Sequence, residues 1–394
     1  MREILAEGLA AIDVKNEITD GVCKMKEEKL NPEDFHMIAE WEAHEGTWLQ
    51  WPHDDQWPGY QLEQEKTWLL LLEALHEHEN VHIIIQDERR REHVEQQLEF
   101  FAIGLENIDF HIIPTNDVWV CDDAPAFVVN KERRLALVNW RFNGWGDRYE
   151  HEMDNLVPLR VAKELGMPAF SPPLTLEGGF ELNGKGTLMA TRSSIINPNR
   201  NPGKTQEDIE KIIKKYLGLK HFIWLTGMSG DDPELGPEDT DCHVDLEARF
   251  VNASTVLYSW PEDRTSAWFR RVTRIHIEEL KEATTESGKP LTLIPMPGPK
   301  HPFSRASKIE TAGIRAKLAR SQEMIGGYLD WHVANGVVLV PVYGDTNDDR
   351  ALKIVGEHFP HRDVVGIDCR GVWENGGGIH CITKTQPVSS PWGP

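Results

Sequence analysis

Five short stretches of the chain concentrate side chains suited to chemistry rather than packing. They are Asn116–Asp123 (NDVWVCDD), Glu177-Gly178-Gly179, Asn197–Pro202 (NPNRNP), Asp241–Asp245 (DCHVD) and Gly376–Cys381 (GGGIHC). If DCHVD is extended, His243 and Asp245 share a face, because alternate side chains of a strand point the same way. A His oriented by a carboxylate is more basic and suits proton transfer. A capping or turn pair is the competing reading of the same residues. In GGGIHC the glycines allow close approach of backbone to a ligand. Cys381 is then either a nucleophile presented in a pocket or an inert thiol in a Gly-rich hairpin. No helix start follows these glycines, so a phosphate-binding loop does not fit. Asp117, Asp122 and Asp123 would hold a metal or an organic cation, or belong to a solvated turn.

Other chemistries are disfavoured. No GxSxG motif occurs, and no Ser adjoins a His and an Asp. His76, His78 and His82 (HEHENVH) do not form HExxH, and only His78 and His82 would share a helical face, so no metal site is expected. The 14 tryptophans read as core or pocket wall. The five cysteines are widely spaced, with no CxxC and no basic, apolar leader at the N-terminus, which points to free thiols in a reducing cytoplasm.

The elements that must position these residues alternate along the chain. Helices are expected near 61–79, 88–102, 150–166, 205–217, 263–284, 322–334 and 347–358. Strands are expected near 81–86, 108–113, 126–130, 135–139, 221–225 and 247–259, in TLIPM, VVLVPVYG and VVGIDCR, and last in GIHCITK. The Trp- and Pro-rich stretch 36–59 reads as irregular loop with short strand pieces. No linker or low-complexity segment divides the 394 residues. The reading is an N-terminal extension over 1–35 and a single mixed α/β domain over 36–390, either a wound sheet or a ring of similar blades. No apolar run approaches the ~18 residues of a transmembrane helix. The 42 basic against 64 acidic residues give a net charge of −22, which disfavours nucleic acid and fits a cationic small molecule or simple solubility.

In this order the motifs resemble the agmatine deiminase family of guanidine-modifying enzymes, which also includes the bacterial peptidylarginine deiminase. The resemblance runs from AEWEAHEGTWLQWPH (39–53) through NDVWVCDDAPAFVVN, LEGGFELNGKGTLMATRSSIINPNRNP and CHVDLEARFV to VVGIDCRGVWENGGGIHCITKTQP (364–387). It implies the pentein fold, a five-bladed α/β propeller of ββαβ-type units around a central active site. It also implies Cys381 as nucleophile, His243 as general acid/base, Asp122 and Asp245 as guanidinium ligands, and Glu177 as the acid orienting the His. Trp119 matches a pocket-wall aromatic, and Asp117 and Gly378 complete the expected substrate-binding set. The implied reaction converts agmatine to N-carbamoylputrescine and ammonia through a covalent thiouronium, with no metal or organic cofactor. Free arginine, a peptidyl arginine or another guanidino compound is the alternative substrate, with Arg200 and Arg249 as candidate partners for a substrate carboxylate. A non-catalytic ligand-binding member is a third reading, and a homo-oligomer is compatible with the family. The sequence departs from the family pattern at Cys121 (usually Arg), Ala124 (Gly), Cys242 (Gly) and Gly378 (Asn).

Overall fold

The computed structural model describes residues 30–53, 61–228, 240–260, 267–301, 327–373 and 375–390. The N-terminal extension up to residue 29, and the start of the helix expected at 322–334, lie outside them.

Sixteen strands form five small sheets among the described residues. Four sheets repeat one plan. An inner strand pairs antiparallel with the next strand, a helix crosses over, and a third strand pairs parallel with the second. The triplets are β4 (Ala126–Val129), β5 (Leu135–Val138) and β6 (Ala169–Phe170); β7 (Glu181–Leu182), β8 (Thr187–Thr191) and β9 (His221–Leu225); β10 (Ala248–Phe250), β11 (Thr255–Ser259) and β12 (Thr292–Met296); and β13 (His332–Val333), β14 (Val337–Val342) and β15 (Asp363–Asp368). Their crossover helices are Val157–Leu165, Gln206–Leu217, Ala267–Glu282 and Asp348–His358. The remaining sheet joins the two ends of the chain. β16 (Lys384–Pro387) pairs antiparallel with β1 (His44–Gln50), which continues in parallel to β2 (Asn80–Ile85) and β3 (Ile108–Ile112). This is the five-bladed α/β propeller.

Local chemistry explains the elements. The parallel middle strands β8 and β14 are covered on both faces, so they read as near-continuous apolar runs rather than alternating ones. The helix Gln206–Leu217 begins at a capping box between Thr205 and Asp208 and ends on Gly218, whose φ of 66° is easy only for glycine. His82 lies on β2, as the strand expected near 81–86 requires, so it shares no helix with His78. Three expectations change. The 36–59 stretch contains the seven-residue strand β1. Residues 327–334 form a turn and β13 rather than helix. The last strand starts at Lys384, and Ile379–Ile382 is a turn ahead of it.

Candidate active site

The inner strand of every blade is preceded by a tight turn, and those turns carry the reactive side chains. Asp122 and Asp123 close a single helical turn, Val120–Asp123, just before β4. Glu177 precedes β7, His243 and Asp245 precede β10, Asp330 precedes β13, and Cys381 precedes β16. Residues 56 to 260 positions apart therefore meet. Cys121 N–H donates to the Cys381 carbonyl at 3.1 Å, and Gly178 N–H donates to Asp122 Oδ1 at 3.0 Å.

His243 is fully enclosed. Its Nε2 lies 2.8 Å from Glu177 Oε2 and its Nδ1 lies 3.9 Å from Asp122 Oδ1. Burial disfavours the imidazolium, but the charges of Asp122, Glu177 and Asp245 outweigh it and push the pKa up to about 10. Glu177 is held below the usual carboxylate range despite burial, first by Arg200 and then by His243. Arg200 in turn bridges Glu177 at 2.5 Å and Asp241 at 2.6 Å. The extended reading of DCHVD is corrected here. Val244–Leu246 is a 3-10 turn with His243 as its N-cap, and the partner of the His is Glu177 rather than Asp245. Asp241 and Cys242 both have positive φ, 57° and 70°, so Cys242 takes a left-handed conformation where the family pattern has glycine. The bend is held by Ser193 Oγ donating to the Asp241 carbonyl and Thr191 Oγ1 to the Cys242 carbonyl, both at 2.6 Å.

The two candidate guanidinium ligands differ electrostatically. Asp122 accepts from Trp145 Nε1 at 3.0 Å, and its burial holds its pKa above the ordinary value despite nearby His243. Asp245 is buried too, but its bond to His380 Nδ1 at 2.8 Å and the charge of His380 hold it below the ordinary value. Asp245 Oδ1 is buried with no hydrogen-bond partner among the described residues. A buried acceptor left in that state is costly unless a ligand donates to it.

Cys381 is partly exposed, and its Sγ lies 3.7 Å from each oxygen of Asp330. Burial and the acidic neighbours Asp330, Asp245 and Asp122 push the thiol well above its usual range. Trp119 packs at Gly377, where a Cβ would collide with the indole and press on Cys381. Gly378 leaves room for Asp330, since a Cβ there would strike Oδ2. Gly179 likewise makes space for the His243 ring.

Most of the expected residues thus come together: Cys381, His243, Asp122, Asp245, Glu177, Trp119 and Gly378. Asp117 serves its own turn instead, accepting from Val118 N–H at 2.8 Å beside Asp154. Sequence reasoning missed Asp330, His380 and Glu40, and read Arg249 as a partner for a substrate carboxylate. The place of Asp330, two residues ahead of an inner strand, is the signal that could have revealed it. Beneath the site Arg249 is saturated by Glu181, Glu40 and the carbonyls of Leu329 and Trp331. Among the described residues, the sets close enough to share an ion are Glu40–Glu181–His380 and Asp245–Asp330–His380. Asp117, Asp122 and Asp123 do not form one, and Arg249 already answers the charge of the first set.

A family model of the Porphyromonas-type peptidyl-arginine deiminases matches residues 36–387. The chain belongs to this deiminase family. It is 32% identical over 376 residues to the agmatine deiminase of Medicago truncatula, covering 90% of this chain and 96% of the relative. The structure of Enterococcus faecalis agmatine deiminase superposes with a TM-score of 0.81 at 27% identity, covering 91% of this chain and 97% of that one. A substrate-bound C. jejuni agmatine deiminase superposes at 0.74 with 25% identity, covering 90% and 97%. These likenesses confirm the propeller expected from the motifs. Among the described residues no helix is long and apolar enough to cross a membrane.

Proposed function

We propose that this deiminase hydrolyses agmatine to N-carbamoylputrescine and ammonia. The observation that carries the substrate choice is the state of its two candidate arginines. Arg200 and Arg249 are both buried and both spent on carboxylates, Glu177 and Asp241 for one, Glu40 and Glu181 for the other. Neither is available to a substrate carboxylate, which favours agmatine over free arginine. The same centre offers Asp122, Asp245 and Asp330 to a cation.

The arrangement of side chains supports the following steps. Asp122 and Asp245 grip the guanidinium N–H groups, with Asp245 Oδ1 gaining the donor it lacks. The Cys381 thiolate attacks the central carbon and forms a C–S bond. His243, still protonated near neutrality, gives its proton to the departing nitrogen, and ammonia leaves a thiouronium. Neutral His243 then takes a proton from water, and hydroxide adds to the same carbon. The C–S bond breaks and the ureido product departs. A reducing, cytoplasmic setting suits this nucleophile, and Cys121, Cys369 and Cys381 are not joined in disulfides.

The test is to incubate the protein separately with agmatine, free arginine and an arginyl peptide, measuring ammonia and the ureido product. Turnover of agmatine alone or preferentially is expected. Equal or better turnover of arginine would overturn the substrate assignment.

A further inference from the structure

Asp330 lies at the reacting sulfur with no role in the steps above. Its side chain is completely buried, and among the described residues the donor to its carboxylate is the Cys381 thiol, 3.7 Å from both oxygens. A buried carboxylate ordinarily collects several strong donors. Here the strong donors nearby are committed elsewhere. His380 serves Asp245 and Glu40, and Arg249 serves Glu181 and Glu40. His380 N–H, at 3.1 Å, bonds the Asp330 backbone carbonyl and fixes the segment without touching its carboxylate. Gly378 makes the contact possible, because any side chain there would displace Oδ2. The blade repeat is in keeping with this placement, since Asp330, like Asp122, Glu177 and Asp245, lies in the segment just ahead of the first strand of its blade.

We infer that Asp330 is the proton acceptor for Cys381, so that the nucleophile of this protein is a thiol–carboxylate pair sharing one proton. This rests on Cys381 being the deiminase nucleophile. As a guanidinium cation docks, the S–H bond breaks and an O–H bond forms on Asp330. The freed sulfur electron pair makes the C–S bond. The proton parked on Asp330 is later taken by the released ammonia, which departs as ammonium, and the thiolate expelled with product regains a proton from the O-protonated urea. The titratable and charged groups facing the pair are Asp245, His380 and Arg249 around Asp330, and Asp245, Asp122 and the Cys121 thiol around Cys381. Burial and Asp245 raise the Asp330 carboxyl to about 7, which makes it a far better match to a thiol than an ordinary Asp.

The experiment reads Cys381 alkylation by iodoacetamide in the full chain without substrate, from pH 6 to 9, with Cys381→Ser as the blank. Proton transfer inside a pair exchanges nothing with solvent, so the wild-type rate should change less than about threefold between pH 7 and 9. In Asp330→Asn the proton must leave to water, and the rate should climb about tenfold per pH unit, as for an ordinary thiol below its pKa. kcat/KM for agmatine in that variant should be depressed at neutral pH and gain the same slope. Gly378→Ala, which pushes the carboxylate aside, gives a second variant with the same expected slope should Asp330→Asn not fold. A wild-type rate that itself climbs tenfold per unit would overturn the pair. So would an Asp330→Asn protein alkylated as fast as wild type or faster, since that is the result if Asp330 only repels the thiolate. Alkylation needs no turnover, so loss of agmatine activity with the pair behaviour intact would overturn the substrate assignment instead.

Discussion

At the scale of single residues, the site works by setting neighbouring protons at different affinities. His243 is driven up to about 10 by three carboxylates, whereas Asp245 is driven down by His380. An imidazole whose pKa is higher folded than unfolded stabilises the native state below the unfolded value of ~6.5. That contribution fades as pH rises through about 10. Urea midpoints should therefore decline between pH 7 and 10, and Glu177→Gln, by removing one of the charges, should flatten the decline. The same variant should move the alkaline limb of kcat/KM to lower pH, because His243 would lose its proton earlier. A limb that stays in place would show that Glu177 does not set His243. Cys381→Ser should reduce turnover by more than about a thousandfold, given the weak nucleophilicity of an alcohol at neutral pH. Its melting temperature should match that of the parent, because the change adds no volume.

At the scale of elements, the reactive groups sit on turns whose backbone is fixed by neighbours rather than by regular structure. The bend Asp241–Cys242 is the clearest case. Two consecutive left-handed residues are held by Ser193, Thr191, Arg200 and Arg148. Replacing buried Arg200 by Ala would remove the bridge between Glu177 and Asp241, leaving Glu177 to His243 and Asp241 to Arg148 and Asn199, a loss on the order of 3 kcal/mol. The urea midpoint of Arg200→Ala checks this, and His243 should lose its orientation with it. Gly179→Ala tests the opposite face of the same bend. Its Cβ would collide with the His243 ring, so kcat should fall by at least about a hundredfold, as expected when a general acid is displaced. Circular dichroism should show the fold retained, while the midpoint falls somewhat, because the clash with the buried ring lies beside core residues Leu176 and Phe180.

At the scale of the whole molecule, the ring closes where β16 meets β1, so Cys381 is positioned by both ends of the chain. Trp48 Nε1 donates to Gln386 Oε1 at 2.9 Å across this seam. Truncation after Thr383 should remove β16, abolish activity and broaden the unfolding transition. A truncated chain of parental stability would show that the seam is dispensable. The net charge of −22 acts over the same scale. A field of that sign should speed capture of a dication, and screening shortens its reach from ~30 Å at 0.01 M to ~3 Å at 1 M salt. Raising the salt should accordingly lower kcat/KM for agmatine several-fold while leaving kcat unchanged.

The sequence by itself determined the chemistry. Residue types in GGGIHC, DCHVD, NDVWVCDD and EGG name a thiol, an imidazole and carboxylates, and hydrophobic periodicity places helices and strands close to their observed positions. These signals are local, and local sequence is enough to encode them. Tertiary structure decided the pairing. His243 answers to Glu177, 66 positions away, which the family resemblance implied but the local reading of DCHVD did not, and not to the Asp245 beside it. Asp330 carries no motif, and only the ring brings it against Cys381, 51 positions on. Arg200 and Arg249 look like free cations in the sequence, yet the fold spends both on buried acids. The physical reason is that each blade contributes one turn to the axis. Contacts at the axis join turns from different blades, so no spacing within a single blade records them.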